Sequence, residues 1–407
     1  MSFRSRSCEA LAQLLLIVLP LLVAGCGRSG EIELVTGIRV QTTTIDALAN
    51  PGFFGDLAID PIDGQPAVAY YVREPGDLRY AKLEPGTGQW VIEDVDTDGD
   101  VGGYPQLEFT QTGRPHIAYY DFTNGRIKYA LFNGLEWERQ SIPLATETEG
   151  FLSMRLDRND IAHISTIDVG NFNLQYLVYD PQSRALGGLT VDDGTLTSGK
   201  GGNINSRMSI ELREGQGGLA LPVIAYYNAS LGVLNLTWMV DNGGALEFVP
   251  PRTIDGRLDP NASDVGQWVS TTLSDYVDVN GNAFTDDVVH MSYYDASNAD
   301  LKYASFRFST TETVIERVDR DGIVGETSSI TIDRQGRPTI SYYDSTNNDL
   351  KVAFRLPDGR WFDKRVDLKG IVGSFSSIAL LPGDGDLGIA YRDSGREALK
   401  FSVVSTN

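Results

Sequence analysis

The sequence predicts an all-β protein, a seven-bladed β-propeller built from four-stranded antiparallel blades. Three observations lead to this fold. A short motif recurs seven times along the 407 residues, short strands separated by turn residues fill each repeat, and the last repeat lacks a strand that the N-terminal part of the chain supplies. Four-stranded repeats of this length typically pack against one another in a ring, as they do in β-propellers.

The repeated motif is typified by Pro-Thr-Ile-Ser-Tyr-Tyr-Asp, which ends at Asp344. Its seven copies are separated by steps of 49, 47, 60, 67, 49 and 49 residues and end at Val72, Asp121, Asp168, Asn228, Asp295, Asp344 and Asp393. A second motif, such as Leu350-Lys351-Val352, follows each copy, and its middle residue always lies seven positions after the end of the first. We interpret the two motifs as strands B and C of a blade with strands A to D.

The ends of the chain indicate how the ring closes. The seventh repeat stops at Asn407 without a strand D, whereas residues 38–46 alternate like a strand and precede the first repeat. We therefore expect residues 38–46 to supply the fourth strand of the last blade, which leaves no open sheet edge. The predicted propeller spans residues 38–407, with blades at about 53–96, 104–143, 151–192, 205–255, 268–319, 326–367 and 374–405.

The first 26 residues predict export and lipid anchoring. Arg4 and Arg6 precede an apolar run from Leu11 to Ala24, which is the length of a signal-peptide core. The run ends in Val-Ala-Gly-Cys26, which resembles the lipobox of bacterial lipoproteins. The resemblance implies cleavage of a signal peptide at residues 1–25 and acylation of Cys26.

The lipobox also implies a location. Residues 26–37 would form a short tether between the lipid and the propeller. Gly27 stands where an aspartate commonly retains such proteins at the inner membrane, so an outer-membrane location in the cell envelope is expected. Cys26 would be the one cysteine of the mature chain, so an intrachain disulfide is excluded.

The charge narrows the possible partners. The chain carries 34 Lys and Arg against 55 Asp and Glu, a net charge of −21. Nucleic-acid binding requires basic patches that replace phosphate counterions, so this class is excluded. We expect a monomer whose contact with the membrane is made through the lipid on Cys26, and whose partner is an unidentified envelope protein or glycan.

The predicted architecture resembles the sialidase-like and lectin-like propellers of exported bacterial proteins. The functional motifs of these families are missing from this sequence: it has no Asp-box and no sialidase arginine segment in register with the repeat. Nucleophile elbows, zinc-binding His-Glu-x-x-His and phosphate-binding glycine loops are also missing from the sequence. We therefore expect a non-enzymatic binding or scaffold module. The alternatives are a carbohydrate-binding lectin and a glycosidase or polysaccharide lyase.

Five aspartates at the end of strand B form the candidate ligand-binding set: Asp121, Asp168, Asp295, Asp344 and Asp393. They would ring the face of the propeller that carries the B–C turns, where a cation or an amine could bind. The structural alternative is that each aspartate caps its turn and pairs across the hairpin with the residue seven positions later, which is a lysine in four cases: Lys128, Lys302, Lys351 and Lys400.

The histidines and tyrosines favour structural roles. His116, His163 and His290 each lie five residues before the end of strand B, so they belong to three different blades and are not expected to bind one metal. The tyrosines of strands B and C are expected to fill the space between blades, with their hydroxyls bonded at the edge. An aromatic platform for a sugar is the alternative.

One loop is a candidate calcium site. Between strands A and B of the fifth repeat, oxygen ligands could come from the side chains of Asp278, Asn280, Asn282 and Asp286 and from the Phe284 carbonyl. The spacing resembles the calcium loops of integrin-type propellers, although asparagine replaces aspartate at two positions. The alternative is a polar hairpin extension that binds no ion.

Overall fold

The computed structural model describes residues 37–144, 147–168, 170–193, 208–256, 264–277 and 283–406. It confirms the predicted fold: seven antiparallel sheets of four or five strands follow one another around a ring. The helical element that lies wholly within these residues is the single 3₁₀ turn Gln216–Gly218. None of the described helices could cross a membrane.

The N-terminal strand β1 (Arg39–Asp46) belongs to the last blade, as the sequence predicted. Blade 1 contains β2 (Phe53–Ile59), β3 (Pro66–Val72), β4 (Asp77–Leu83) and β5 (Trp90–Asp96). Blade 2 contains β6 (Val101–Phe109), β7 (Pro115–Asp121), β8 (Arg126–Phe132) and β9 (Trp137–Ser141). Blade 3 contains β10 (Thr148–Leu156), β11 (Ala162–Asp168), β12 (Leu174–Asp180) and β13 (Ala185–Asp192).

The remaining blades follow the same order. Blade 4 contains β14 (Met208–Glu214), β15 (Ala220–Asn228), β16 (Val233–Asp241), β17 (Leu246–Phe248) and β18 (Arg252–Asp255). Blade 5 contains β19 (Val265–Val277), β20 (Ala283–Asp295), β21 (Asp300–Arg307) and β22 (Glu312–Asp319). Blade 6 contains β23 (Val324–Ile332), β24 (Pro338–Asp344), β25 (Asp349–Arg355) and β26 (Trp361–Asp367). Blade 7 contains β27 (Val372–Leu380), β28 (Leu387–Asp393) and β29 (Ala398–Ser405), with β1 as its outermost strand.

The ring closes through antiparallel pairing of the two ends of the chain. Arg39 lies opposite Ser405 and Thr43 opposite Phe401 in the β1–β29 ladder. Every blade therefore has a strand D, and the hydrophobic cores lie between consecutive blades, where Leu, Ile, Val and Tyr side chains are buried. Burial between sheets supplies the main stabilising free energy of such a ring.

Glycines near the start of strand A allow the blades to approach closely. Gly102 has a φ of +102°, and a Cβ at this position would lie 2.8 Å from the Cα of Leu78 in blade 1. Gly325 repeats this relationship with Leu301 and Gly373 repeats it with Leu350. Only glycine satisfies both the left-handed backbone and the close contact.

A polar network joins the outer parts of consecutive blades. At the junction of blades 5 and 6, the Tyr342 hydroxyl donates to Asp319 at 2.7 Å and Lys351 Nζ lies 2.5 Å from the same carboxylate. Six junctions contain the tyrosine–aspartate bond, in the pairs Tyr70–Asp46, Tyr119–Asp96, Tyr226–Asp192, Tyr293–Asp255, Tyr342–Asp319 and Tyr391–Asp367. We call these pairs the outer junction bonds.

The junction of blades 2 and 3 is built differently. Ile142 stands where the aspartate of the outer junction bond would be, Thr166 replaces the tyrosine and Gln175 replaces the lysine. Ile142 is buried in an apolar cluster that includes Leu152 and Ile164. The aspartate, tyrosine and lysine of the other junctions are thus replaced together. This is expected, because a buried polar group that loses its hydrogen-bond partner costs free energy.

Candidate functional site

The seven innermost strands, which are the A strands, surround a central channel with a cavity of about 440 Å³. Alternate residues of each A strand point into it, because successive side chains of a strand face opposite sides. Three levels of side chains line the channel from the mouth inward. The mouth lies where the A strands begin, on the face that also carries the B–C turns.

The first level consists of aromatic side chains, which lie at a β-bulge that recurs near the start of the A strands. In six A strands the register with strand B shifts near the start of the strand, which marks a β-bulge. At this bulge five non-glycine residues have a left-handed φ between +49° and +56°: Phe54, Tyr104, Trp268, Thr327 and Phe375. Phe151 occupies the same position in blade 3, and the equivalent Arg207 of blade 4 lies outside the described residues.

The aromatic side chains at this position form a continuous arc. The ring centroids of Phe54 and Tyr104 are 4.0 Å apart, those of Tyr104 and Phe151 are 4.7 Å apart, and those of Phe54 and Phe375 are 4.8 Å apart. All of these rings remain partly exposed. We call Phe54, Tyr104, Phe151, Trp268 and Phe375 the aromatic rim.

The backbone is strained at four of the five rim residues, all except Phe151. A left-handed φ is rare for bulky residues, and residues held in such regions cost about 1–3 kcal/mol each. Glycine would relieve the strain, yet aromatic residues occupy the position in most blades. Bulges commonly re-aim a side chain beside a functional site, and strain of this kind is concentrated at such sites. The aromatic rim is therefore the strongest candidate for a ligand-contact surface.

The second level is a ring of hydrogen bonds between blades. A side-chain oxygen two residues beyond the rim position accepts the backbone N–H of the next blade, as in Leu57 N–H to Ser377 Oγ at 3.1 Å and Leu107 N–H to Asp56 Oδ2 at 2.9 Å. Equivalent bonds are accepted by Ser153, Ser209, Ser270 and Ser329. Within the described ranges, the junction of blades 2 and 3 is again the exception, with Gln106 at this level. These bonds hold the diameter of the channel.

The third level carries the charges of the channel. Arg155 of blade 3 donates to Glu108 of blade 2 at 2.9 Å and to both oxygens of Glu211 of blade 4 at 2.8 and 3.1 Å. Burial raises the pKa of Glu108 to about 7, although the positive charge of Arg155 opposes this shift. The two glutamates raise the pKa of Arg155, so it stays charged despite the cost of its burial.

The five strand-B aspartates lie on the same face as the rim, but they are buried and engaged. Each carboxylate accepts a backbone N–H three residues later, at 2.8–3.1 Å, from Asn124, Asn171, Asn298, Asn347 and Arg396 respectively. This is the turn-capping role considered in the sequence analysis. Ligand binding by Asp121, Asp168, Asp295, Asp344 and Asp393 stays a prediction.

The expected cross-strand pairing with the lysines is found only in part. Lys302 and Lys400 lie 3.8 Å from Asp295 and Asp393, but they and Lys351 make shorter contacts with the strand-D aspartate of the preceding blade. Lys128 likewise pairs with Asp96 rather than with Asp121. The hairpin register explains the difference, because it places each lysine opposite the tyrosine two residues before the aspartate.

The histidines occupy three blades and each contacts a strand-C tyrosine. The distances from Nδ1 to the hydroxyl are 2.7 Å for His116–Tyr129 and 2.6 Å for both His163–Tyr176 and His290–Tyr303. Burial lowers the pKa of His116 and His290 to about 4 and also lowers the pKa of His163. These imidazoles are neutral at physiological pH and pack within their blades.

Three of the predicted calcium ligands, Asp278, Asn280 and Asn282, lie outside the described residues, as does Cys26. Phe284 and Asp286 lie in β20. Asp286 Oδ2 accepts the N–H of Glu214 at 3.4 Å, and burial raises the pKa of Asp286. Among the described residues no group of three His, Cys, Asp or Glu side chains could hold a metal ion.

The motifs of strands B and C did not predict the aromatic rim, which lies on strand A. A signal was present: an aromatic residue follows the start of strand A in Gly52-Phe53-Phe54, Gly102-Gly103-Tyr104, Gly266-Gln267-Trp268 and Gly373-Ser374-Phe375. The glycine marks the close approach to the preceding blade, and the aromatic residue two positions later marks the rim.

Solved structures resemble this chain in fold. Hydrazine synthase from Kuenenia stuttgartiensis matches with a TM-score of 0.58 at 10% identity, over 89% of this chain and 97% of that chain. A protein of unknown function from Dyadobacter fermentans matches with a TM-score of 0.52 at 12% identity, over 91% and 99%. A variant of AofleA from Arthrobotrys oligospora matches with a TM-score of 0.50 at 10% identity, over 81% and 90%.

These matches show the β-propeller fold. Identities near one in ten leave activity undecided, because one fold supports many functions. No protein-family model matches the chain, and no curated protein is significantly similar to it in sequence. The function must therefore be argued from the channel and its mouth.

Proposed function

We propose that this propeller is a non-enzymatic binding module that contacts its ligand with the aromatic rim at the mouth of the central channel. The observation that supports the proposal is the repeated left-handed backbone of non-glycine rim residues. The fold sustains this strain in several blades, and at Phe54, Tyr104, Trp268 and Phe375 the result is a partly exposed aromatic side chain at the mouth. Packing alone would be satisfied by glycine or a small residue.

The ligand class favoured by the rim is a carbohydrate. Aromatic faces bind flat apolar surfaces, and pyranose rings present such a surface together with hydroxyls. Hydroxyl groups of Ser153, Ser270 and Ser377 lie one level below the rim, and each already accepts a backbone N–H group. A lectin that binds a sugar at the mouth therefore fits the arrangement of an apolar rim over a polar channel.

The test uses rim variants that relieve strain while removing the aromatic surface. Phe54→Gly and Phe375→Gly suit a left-handed φ, so both proteins are expected to fold, and circular dichroism checks this. Ile315→Ala, on the exposed outer strand β22, is the matched control that removes a similar apolar side chain far from the mouth. On a glycan array the full-length chain and the control should retain the same sugars, whereas the rim variants should lose them.

A turnover assay on the retained sugars separates binding from catalysis. A binding module releases no product. The enzymatic alternative has one specific feature in its favour, since Glu108 has a pKa raised to about 7, as a general acid requires. Release of sugar that Glu108→Gln abolishes would replace the binding proposal with a glycosidase. If no glycan is retained, crosslinking in cells followed by pull-down tests a protein ligand at the same rim.

We further propose that the module is held in the cell envelope by lipid on Cys26, with the outer membrane as its location. The support is the sequence of the lipobox at the end of the apolar run. Metabolic labelling with a palmitate analogue should mark the wild-type chain and not Cys26→Ala, and membrane fractionation should place the labelled chain in the outer membrane. An unlabelled wild-type chain would remove the anchor from the proposal.

A further inference from the structure

A second cavity lies far from the rim, at the outer edge of the junction between blades 1 and 2. It has a volume of about 300 Å³ and is bounded by the C–D turn of blade 1 and by β9 of blade 2. Tyr80, Glu93, Phe132 and Trp137 form its wall, and Lys82 and Glu84 stand at its edge. We call this cavity the outer groove. It opens on the face opposite the aromatic rim, so it is independent of the proposed function.

The repeat contains an equivalent of the outer groove between blades 5 and 6. Tyr303 lies opposite Glu316 in the blade 5 ladder, as Tyr80 lies opposite Glu93 in blade 1. Trp361 donates its indole N–H to Glu316 at 2.8 Å, and Trp137 donates to Glu93 at the same distance. The two junctions therefore share one tyrosine, one glutamate and one tryptophan in the same arrangement.

An arginine fills the groove between blades 5 and 6. Arg355 donates to both oxygens of Glu316, one of them at 2.7 Å. Its guanidinium carbon lies 5.6 Å from the ring centre of Tyr303 and 5.7 Å from that of Trp361. Bidentate pairing with a carboxylate and contact with aromatic faces are the interactions that distinguish guanidinium from ammonium.

The outer groove lacks this arginine. Phe132 lies opposite Trp137, at the position that Arg355 occupies opposite Trp361. Among the residues that the structure describes, the hydrogen bond to the Glu93 carboxylate comes from Trp137 and goes to Oε2, which leaves Oε1 available for a ligand. The outer groove therefore has the same glutamate and tryptophan as the junction of blades 5 and 6, but it has no guanidinium bound to them.

Tyr80 supplies a second, independent observation. Its side chain is 5% exposed, so most of the ring is packed between the blades. The equivalent Tyr303 bonds to His290, but Ala67 replaces the histidine in blade 1. Tyr80 lines the outer groove, so its hydroxyl is available there.

We propose that the outer groove binds the guanidinium group of an arginine side chain of a partner protein. Glu93 would accept two N–H donors, Trp137 and Tyr80 would contact the planar cation, and the Tyr80 hydroxyl would accept a further N–H. Glu84 and Glu93 make the groove acidic, because the charge of Lys82 is already paired with Asp60 and Asp63. The net charge of −21 also favours a basic partner.

The experiment is calorimetric titration of the full-length chain with acetyl-Gly-Arg-Gly-amide, and with the same peptide carrying lysine or citrulline. We expect one site per chain and at least about tenfold weaker binding of the lysine and citrulline peptides. Glu93→Gln should weaken binding at least about tenfold, while Glu136→Gln, an exposed glutamate of blade 2, should not. Free L-arginine should bind more weakly than the peptide.

Phe132→Arg is the decisive variant, because the new side chain would place a guanidinium in the outer groove, as Arg355 does at the junction of blades 5 and 6. It should abolish peptide binding and raise the melting temperature. Absence of binding by the wild-type chain, equal binding of the citrulline peptide, or unchanged binding by Glu93→Gln would each overturn the proposal. Tighter binding of free arginine would overturn the assignment to a partner protein. If methyl glycosides compete with the peptide, and Phe132→Arg no longer binds them, the groove is a sugar site instead.

Discussion

The Tyr70 hydroxyl donates to Asp46 Oδ2 at 2.8 Å, joining blade 1 to the strand that precedes it in the sequence and lies in blade 7. Arg79 Nη1 lies 3.0 Å from the same carboxylate oxygen. The first and last described strands are therefore paired in the β1–β29 ladder, and a buried polar group ties β1 to blade 1 at the next junction. The strength of this closure is testable.

Deletion of residues 31–46 should unfold or aggregate the protein, because it exposes the edge of β29 and leaves Tyr70 and Arg79 without Asp46. Tyr70→Phe is the milder change and should lower the free energy of unfolding by about 1–3 kcal/mol. Tyr343→Phe, which removes a bond to Asn348 within its own blade, is the control. Size-exclusion chromatography and thermal melts measure both effects. An unchanged melting temperature after the deletion would contradict the closure.

Lys351→Met should destabilise the protein by about 3–5 kcal/mol, because it leaves the buried Asp319 carboxylate with Tyr342 as its main partner. Burial favours the neutral acid, but the Lys351 bond holds the pKa of Asp319 below its ordinary value. Lys364→Met, on the exposed edge of the same blade, should change stability little. Denaturant titration of the three proteins at neutral pH gives the comparison. Equal midpoints for the two variants would show that the buried pair adds no stability.

Gly102→Ala should destabilise more than Gly134→Ala, although the two glycines have almost the same φ, +102° and +100°. Both substitutions strain the backbone. At Gly102 the new Cβ also meets the backbone of Leu78 at 2.8 Å, whereas no atom lies within 4 Å of a Cβ at Gly134. The difference between their melting temperatures therefore measures the close approach of blades 1 and 2. Equal decreases in melting temperature would mean that blades 1 and 2 can move apart to accommodate the new Cβ without loss of stability.

Glu108 should make the protein less stable as the pH rises. Its pKa of about 7 lies above the ordinary value of 4.5, so between these pH values the folded chain retains a proton that the unfolded chain has lost. The contribution of this group to the free energy of unfolding is full below pH 4.5 and is lost as the pH rises toward 7, a change of about 3 kcal/mol.

Glu108→Gln should therefore flatten the dependence of unfolding free energy on pH between 5 and 8, relative to the wild-type chain. Chemical denaturation at several pH values measures the two slopes. The control is Glu136→Gln, whose slope should match that of the wild type. Identical slopes for all three proteins would show that the Glu108 carboxyl is ionised throughout the range.

The blade 5 loop gives a prediction that depends on calcium. If the ion binds only the folded chain, calcium at about 100 times its Kd should stabilise the protein by roughly 2.7 kcal/mol. Melting curves with calcium and with chelator should differ for the wild type and coincide for Asp278→Ala combined with Asp286→Ala. Each variant is compared with itself in the two buffers, because Asp286 also contacts Glu214. Coincident wild-type curves would remove the site.

The repeat made the fold predictable. The fixed seven-residue offset between the motifs ending at Asp344 and centred on Lys351 located strands B and C in every blade, and the missing last strand identified residues 38–46 as its replacement. The partners of the polar residues were less predictable. Lys351 was expected to pair within its hairpin, but the hydrogen-bond register and the neighbouring blade place Asp319 closer.

The candidate site depended on geometry that sequence patterns do not carry. Nothing in a single copy shows that the residue after Gly-x in strand A adopts a left-handed φ, because aromatic residues such as Phe54 rarely do so. The raised pKa of Glu108 likewise follows from the channel and from Arg155, which comes from another blade. Both features arise when the inner strands of different repeats meet.

The junction of blades 2 and 3 distinguishes one point of the ring mechanically from the others. It lacks the outer junction bond, and Gln106 stands where other blades place the hydrogen-bond acceptor of the second level. Gln140 of blade 2 instead accepts the Tyr179 hydroxyl and donates to the Pro181 carbonyl of blade 3 at 3.2 Å, so separating blades 2 and 3 would break a different set of bonds from those that join the other blades.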